Sequence, residues 1–468
     1  MIRVNCILLL SLGLLADAIR FEDLAAEDDF FNGIPAEKYV RSMNRMKEIS
    51  QKLVYGDEEI PETPKFEEEK WDHLENPEEN PFLFQGDVVL NEDKLDEALE
   101  DFELRLAEME GRPVPARLYS TEKNLWTSFP IYWTMDQEKP VKGGEAELQK
   151  GIDLWEETTC LTFKHGNNTE NGHITFWSGP GCSSPIGRQN NTNRVSLAPP
   201  CAFPGTIAHE IGHSLGLFHT QNSPDANKSI HIYWDNITPG KELNFLPLNA
   251  SWAPTTRGLP YDLGSVMHYG RWTFSVNRSE PTIDPLDMNF VSVLGQRAGL
   301  SFMDVREINL MYCNDVCPKI LACANGGYTD PKYCSKCRCP TGFSGKLCDQ
   351  LAPSPAECGQ TSLLATHEPQ TLAISGKGNC IYKIKASKRS DILITSMELV
   401  FDGGNWQGSC EFNYVELKYK EDRAVTGARF CPTFFNGTHE IISQNSFIVL
   451  YQSQKEEYGF NLVYQIFV

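Results

Sequence analysis

Thr206-Ile207-Ala208-His209-Glu210-Ile211-Gly212-His213-Ser214-Leu215-Gly216-Leu217-Phe218-His219 is the stretch from which the rest of the chain is best read. His209 and His213 are four residues apart, so on a helix they stand one turn above each other on the same face. Two imidazoles at that spacing can meet one divalent ion, and Glu210 can reach a water on it without being a ligand. Ile207, Ile211 and Leu215 point elsewhere and can pack into a core. Gly216 has no Cβ and ends the helix through a left-handed turn. The chain then swings back and presents His219 as a third ligand. Three neutral ligands leave an open coordination position, the pattern of a catalytic rather than a structural zinc. The expected chemistry is Glu-assisted attack of zinc-bound water on a peptide carbonyl. Zinc lowers the pKa of water toward ~7, and Glu210 passes the proton on to the leaving amine.

Downstream, Ser265-Val266-Met267-His268-Tyr269 supplies a methionine turn. Met267 is expected to form a soft apolar floor beneath the metal. The Tyr269 phenol is expected near zinc, as a fifth ligand or as a donor to the developing oxyanion. His268 reads as structural. The zinc stretch has the metzincin form, and with the turn it resembles the astacin family of zinc endopeptidases. The resemblance runs from Leu118 to Cys313 and includes Trp234-Asp235-Asn236-Ile237, Pro260-Tyr261-Asp262 and Leu300-Ser301-Phe302-Met303-Asp304. It implies an α+β catalytic domain with a twisted sheet over the zinc helix and a largely irregular second half. Spacing alone allows three pairings of Cys160, Cys182, Cys201 and Cys313; the resemblance implies Cys160–Cys313 and Cys182–Cys201. By the same analogy Ser183 to Arg188 is an edge strand that holds an extended substrate by backbone pairing. Pro185 within it either removes one of those hydrogen bonds or sits where its N–H was unused.

Ahead of this region, residues 19–117 hold 28 acidic and 12 basic residues, which accounts for most of the chain's net charge of −21, and no cysteine. Leu95, Ala98, Leu99, Phe102 and Leu106 fall on one face of a helix predicted over Leu95 to Met109. An acidic, cysteine-free segment in this place reads as a pro-segment. Phe84-Gln85-Gly86-Asp87 resembles the F-x-G-D motif of astacin propeptides, in which the aspartate binds zinc and silences the enzyme; Asp87 is thus a metal ligand of the latent form. Activation is expected near Arg112 or Arg117, by a trypsin-like protease. Where many astacins have an acidic residue after the third histidine, this chain has Thr220, so an ion pair to a new N-terminus cannot form in the same way. Residues 1–18 read as a signal peptide. Arg3 precedes the apolar run Ile7 to Leu15, and Ala16-Asp17-Ala18 supplies the cleavage pattern. The run is too short for a spanning helix, which needs about 20 residues.

Toward the other end, Cys317, Cys323, Cys334, Cys337, Cys339 and Cys348 crowd into a segment too small to fold without staples. With Cys323-Ala324-Asn325-Gly326-Gly327 and Pro340-Thr341-Gly342-Phe343 they resemble an EGF-like module over 314–349. That resemblance implies Cys317–Cys334, Cys323–Cys337 and Cys339–Cys348. After a linker at 350–357, alternating runs at 392–395, 414–417, 447–450 and 460–464 predict an all-β sandwich over 358–468. With Cys358–Cys380, Cys410–Cys431 and Tyr458-Gly459-Phe460 it resembles a CUB domain, a fold that binds proteins or glycans. Asn413 and Gln454 stand where calcium-binding CUB domains carry aspartates.

Composition bounds the rest. The 468 residues suggest about three domains. A net charge of −21 argues against a nucleic-acid partner. Fourteen cysteines beyond Cys6 can pair completely, which places the chain in an oxidising compartment. N-glycosylation sequons at Asn167, Asn190, Asn227, Asn236, Asn249, Asn277 and Asn436 fit a secreted glycoprotein. The expectation is therefore a secreted, latent zinc endopeptidase of nematode astacin type, acting on extracellular proteins. Two rivals are a non-catalytic adhesion protein working through the EGF and CUB modules, and a metzincin held latent by a cysteine. The second is disfavoured because no cysteine lies between 19 and 117.

Overall fold

Helix α4 (Pro204–Ser214) is the centre from which the fold is organised. Pro204 sits in its first turn, where a missing N–H costs nothing. Its end is a Schellman arrangement: Leu217 N–H donates to Gly212 O (2.9 Å) and Gly216 N–H to His213 O (2.8 Å). Gly216 is at φ 105°, so a residue with a Cβ would be strained there. Helix α3 (Gly144–Glu156) packs against α4, and Trp155 Nε1 donates to Ala208 O (2.9 Å).

The computed structural model describes residues 19–21, 24, 31, 33–56, 70–71, 75–114, 124–167, 170–189, 192–249, 258–387, 390–401, 409–431 and 440–467. The expected signal peptide, Arg117, Leu118, Asn190 and Asn436 lie outside the described residues. Of the other sequons, Asn167, Asn227, Asn249 and Asn277 are exposed. Asn236 is half-buried, with its amide donating to Pro281 O (2.7 Å).

A six-stranded sheet covers α4. It comprises β1 (Val88–Val89), β2 (Ile131–Met135), β3 (Phe163–His165), β4 (His173–Trp177), β5 (Cys182–Pro185) and β6 (Thr192–Leu197), in the order β1-β5-β6-β4-β2-β3. Only the β5–β6 pairing is antiparallel. Between sheet and helices lies an apolar core that includes Ile174, Phe176, Val195, Ile207, Ile211 and Met267. Beyond α4 the chain is mostly loops and short 3-10 turns until α5 (Phe302–Tyr312), which a Ser301/Asp304 capping box begins.

The edge strand of this sheet comes from the acidic N-terminal segment. That segment folds as a helical hairpin, α1 (Ala36–Tyr55) with α2 (Glu92–Met109). Helix α2 begins three residues before the predicted Leu95, because Asn91 Oδ1 accepts Lys94 N–H (2.9 Å) and caps it. Tyr39, Met43, Phe82, Phe84, Leu95 and Phe102 form a core that also takes in Trp177, Ile186, Phe218, Leu243 and Leu248 of the following region. The acidic segment is thus a packed body seated on the sheet. The ion pairs Lys38–Glu92 (2.7 Å) and Arg45–Glu103 (2.6 Å) join the helices at the surface, where solvent screens them.

Among the described residues, seven disulfides join Cys160–Cys313, Cys182–Cys201, Cys317–Cys334, Cys323–Cys337, Cys339–Cys348, Cys358–Cys380 and Cys410–Cys431. The segment from Cys317 to Leu351 adds two two-residue ladders, Tyr328–Thr329 with Cys337–Arg338 and Phe343–Ser344 with Gln350–Leu351, to its three bridges. The C-terminal part is a sandwich of a five-stranded and a four-stranded sheet over a continuous core that includes Tyr382, Ile394, Val415, Phe447 and Leu462. No helix among the described residues is long and apolar enough to cross a membrane.

Candidate metal centre

His209 and His213 stand on one face of α4, and the turn at Gly216 returns His219 to them. All three rings are fully buried. His209 Nδ1 faces Val266 O (2.8 Å) and His213 Nδ1 faces Leu217 O (2.7 Å). A carbonyl can only accept, so those Nδ1 atoms carry protons and each Nε2 keeps a bare lone pair. The Nε2 atoms of His209 and His213 lie 3.2 Å apart, an arrangement of facing lone pairs that a cation between them makes favourable. Burial lowers the His219 ring to about 3, which leaves it neutral and able to ligate.

Asp87 completes the cluster. Its Oδ2 lies 3.3 Å from His209 Nε2 and 3.2 Å from His219 Nε2, and its Oδ1 is 3.5 Å from His213 Nε2. The four ligand atoms fall within 4.8 Å of one another. Asp87 Oδ1 has no hydrogen-bond partner. Three imidazole lone pairs and one carboxylate in a dry pocket fit a single divalent ion of the zinc type.

Glu210 is beside them on α4, fully buried, and neither of its oxygens has a partner. Burial pushes its carboxyl well above the carboxylate range, with the negative Asp87 and Glu78 adding to the shift. Such a group is poised to hold or release a proton. Met267 lies beneath the helix. A Cβ on Gly212 would come within 2.9 Å of its Sδ, so the glycine makes room for the sulfur. His268 is not in the cluster: its Nε2 meets Tyr261 Oη (2.7 Å) and its Nδ1 faces Tyr269 O (2.8 Å). Tyr269 packs on the His219 ring, with centroids 4.7 Å apart, and its phenol donates to Gln85 O (2.6 Å).

The acidic segment reaches the centre along β1. Val88 and Val89 pair with Ser184 and Pro185 in parallel, and Ser184 N–H donates to Asp87 O (2.9 Å). Ile186 N–H donates to Val89 O (3.4 Å). Nitrogens alternate along a strand, so the nitrogen of Pro185 faces away from β1 and its missing N–H removes nothing from this edge. The strand is Cys182–Pro185 rather than 183–188, because the chain turns at Gly187 (φ 66°). Gly86 is at φ 81°, and a Cβ there would come within 2.7 Å of Glu78 O.

Three side chains at the centre carry no sequence signal. Gln85 Oε1 accepts from His219 Nδ1 (3.1 Å), which fixes the tautomer of the third ligand. Arg297 donates to Val266 O (2.9 Å) and His268 O (3.2 Å), behind the metal ligands. Glu78 accepts from Arg297 at 2.6 and 3.1 Å. Burial would raise the Glu78 carboxyl, but Arg297 outweighs it and holds it below its usual value. Arg297 and Glu78 are 219 residues apart, and no local spacing announces their meeting.

Residues 118–313 match the family model described as Astacin, a peptidase family. The chain is 32% identical over 448 residues to zinc metalloproteinase nas-34 of Caenorhabditis elegans, covering 91% of this chain and 71% of that protein. It is 35% identical over 371 residues to zinc metalloproteinase nas-30 of the same nematode, covering 78% of this chain and 48% of that protein. It therefore spans less than half of nas-30. Among solved structures it is similar to high choriolytic enzyme 1, a hatching-enzyme zinc protease of the medaka fish Oryzias latipes. Identity there is 29% and the TM-score 0.38, covering 42% of this chain and 98% of that one.

Proposed function

This chain belongs to the astacin family of zinc metalloproteinases, and on that premise we propose that it is a secreted zinc endopeptidase folded here in its latent form. His209, His213 and His219 would hold the metal, with Asp87 as a further ligand while the pro-segment is in place. Bound there, zinc supplies a Lewis acid that polarises a peptide carbonyl and makes water more acidic. Glu210 accepts a proton from the attacking water and delivers it to the leaving amine. Tyr269, released from Gln85 O, donates its phenol hydrogen to the oxygen of the scissile carbonyl. Ser184 and Ile186, released from β1, pair with the backbone of an extended substrate.

Latency follows from the same contacts. The pro-segment occupies the fourth ligand position, the substrate edge and the Tyr269 phenol at once. Cleavage by a trypsin-like protease near Arg112 or Arg117 frees the segment; Arg112 is exposed. The seven disulfides and the exposed sequons fit an extracellular glycoprotein. Residues 314–349 serve as an EGF-like module and 358–468 as a CUB domain.

One observation carries the reading: three bare imidazole nitrogens converge beside an unpartnered carboxylate that is not needed as a ligand. Trypsin-treated protein should cleave gelatin, and 1,10-phenanthroline or Glu210→Ala should abolish that. Processed protein that holds zinc and leaves gelatin intact would return the chain to the adhesion reading.

A further inference from the structure

The C-terminal sandwich touches the back of the metal centre. Asp262 begins the turn that carries Val266, Met267 and Tyr269, and it is almost fully buried. Its Oδ1 accepts Thr426 N–H (3.1 Å) and its Oδ2 accepts the Thr426 hydroxyl (3.2 Å). Thr426 belongs to the sandwich. The same Asp262 fixes the turn from inside, accepting Gly264 N–H at Oδ1 (3.1 Å) and Ser265 N–H at its carbonyl (3.1 Å). A Cβ on Gly264 would lie 2.5 Å from the Thr426 methyl, so the two surfaces meet without a gap.

A second arm runs beside it. Glu411 of the sandwich accepts Arg297 N–H at Oε1 (2.9 Å). The Arg297 guanidinium donates to Val266 O, which is also the acceptor for His209 Nδ1. The Arg297 arm therefore ends on the carbonyl that sets the tautomer and orientation of His209, and the Asp262 arm ends on the turn just before it, at Gly264 and Ser265.

The sandwich side is braced. Lys418 Nζ donates to Arg423 O (3.1 Å) and Val425 O (2.8 Å), and Gly427 N–H donates to Glu416 Oε1 (2.9 Å). These bonds hold the loop that bears Thr426. Phe290 and Val293 from the region after the methionine turn enter the core of the sandwich, and Tyr419 Oη donates to Asp287 Oδ2 (2.6 Å). A shared core and satisfied buried polar groups make a fixed joint rather than a tether.

We propose that the C-terminal sandwich is a positioning element of the metal centre, acting through Thr426 and Glu411 on the 262–269 turn. This rests on the peptidase reading. It makes hydrolysis depend on the sandwich even for a peptide too short to touch it. Thr426 and Glu411 are positioning residues and meet no substrate.

The test uses the full chain after processing, a short quenched-fluorescent peptide, and hydrogen–deuterium exchange over 262–269. Thr426→Val with Glu411→Ala should lower kcat about tenfold with KM within about twofold, because loss of orientation at a ligand acts on the chemical step. The same variant should speed amide exchange in the turn. Thr426→Val alone, which keeps the side-chain shape, should give a smaller fall in the same sense. Thr426→Ser keeps the hydroxyl and should stay within about twofold of wild type. Wild-type kcat and unchanged exchange in the double variant would overturn the proposal, as would a Thr426→Ser variant as impaired as Thr426→Val. An inactive wild type would sink the peptidase reading instead, and the exchange comparison would still decide the joint.

Discussion

Asp87 Oδ2 lies 3.2 Å from His219 Nε2, although 132 residues separate the two in the chain. One carboxylate thereby sits where the proposed peptidase chemistry would need an open position. On the proposed reading, latency is a matter of occupancy at a finished site, since the histidines and Glu210 are already in place.

Asp87→Ala should therefore give an uncleaved chain with measurable peptidase activity, where wild type shows none. The assay is hydrolysis of a fluorogenic peptide before any trypsin treatment, with a gel to show that the chain is intact. A variant as silent as wild type would shift the account of latency onto blockage of the β5 edge.

Gly86→Ala tests the close approach of the backbone. Its φ of 81° and the 2.7 Å contact of a Cβ with Glu78 O both oppose a side chain. The expected result is a loosened pro-segment, with basal activity above wild type but below Asp87→Ala and with faster trypsin cleavage. Unchanged latency would mean that the loop from Glu78 to Asp87 relaxes at little cost.

Glu210→Gln keeps shape and burial but removes the base. General acid–base groups contribute roughly 10²–10⁴-fold, so kcat in the processed enzyme should fall by about that factor. Zinc content by elemental analysis should stay at wild-type level. Loss of metal in this variant would argue that the carboxylate holds the ion instead.

The His268 ring gives a pH dependence with a definite sign. Burial lowers it from 6.5 to about 4, so the folded state binds fewer protons than the unfolded state between those values. Its contribution to stability is complete above about pH 6.5 and is lost as pH falls toward 4, roughly 2 kcal/mol by pH 4.5. Urea inactivation midpoints at pH 7 and pH 4.5 should draw together in His268→Gln. An equal acid shift in variant and wild type would assign the lability to other groups.

Asp304 couples the methionine turn to α5. It accepts Ser265 Oγ–H (2.5 Å), Val266 N–H (2.9 Å) and Ser301 N–H (2.7 Å). Asp304→Asn leaves an amide facing donors, and the processed enzyme should lose about 1–3 kcal/mol of stability in urea unfolding. A variant as stable as wild type would show that the turn is held by Asp262 and Arg297 without it.

Some of this architecture is written in local spacing. Histidines four apart, a glycine that permits a left-handed turn and a third histidine three residues later mark the candidate ligand set, because a helix repeats every 3.6 residues whatever surrounds it. The alternating runs after Cys358 read as strands for the same reason, with a period of two. The helix of the acidic segment was readable from Leu95, and only its Asn91 cap moved the start.

Other features depend on residues that nothing along the chain connects. Gln85 serves His219, Glu78 pairs with Arg297, Glu411 holds the Arg297 backbone and Thr426 grips the methionine turn at Asp262, across separations of 114 to 219 residues. Periodicity constrains a residue against its near neighbours on the same helix or strand, whereas these partners meet only because separate bodies pack face to face. Thus the amino-acid order specified the candidate metal ligands and the proposed base, and three-dimensional packing chose what orients them and which carboxylate sits against them.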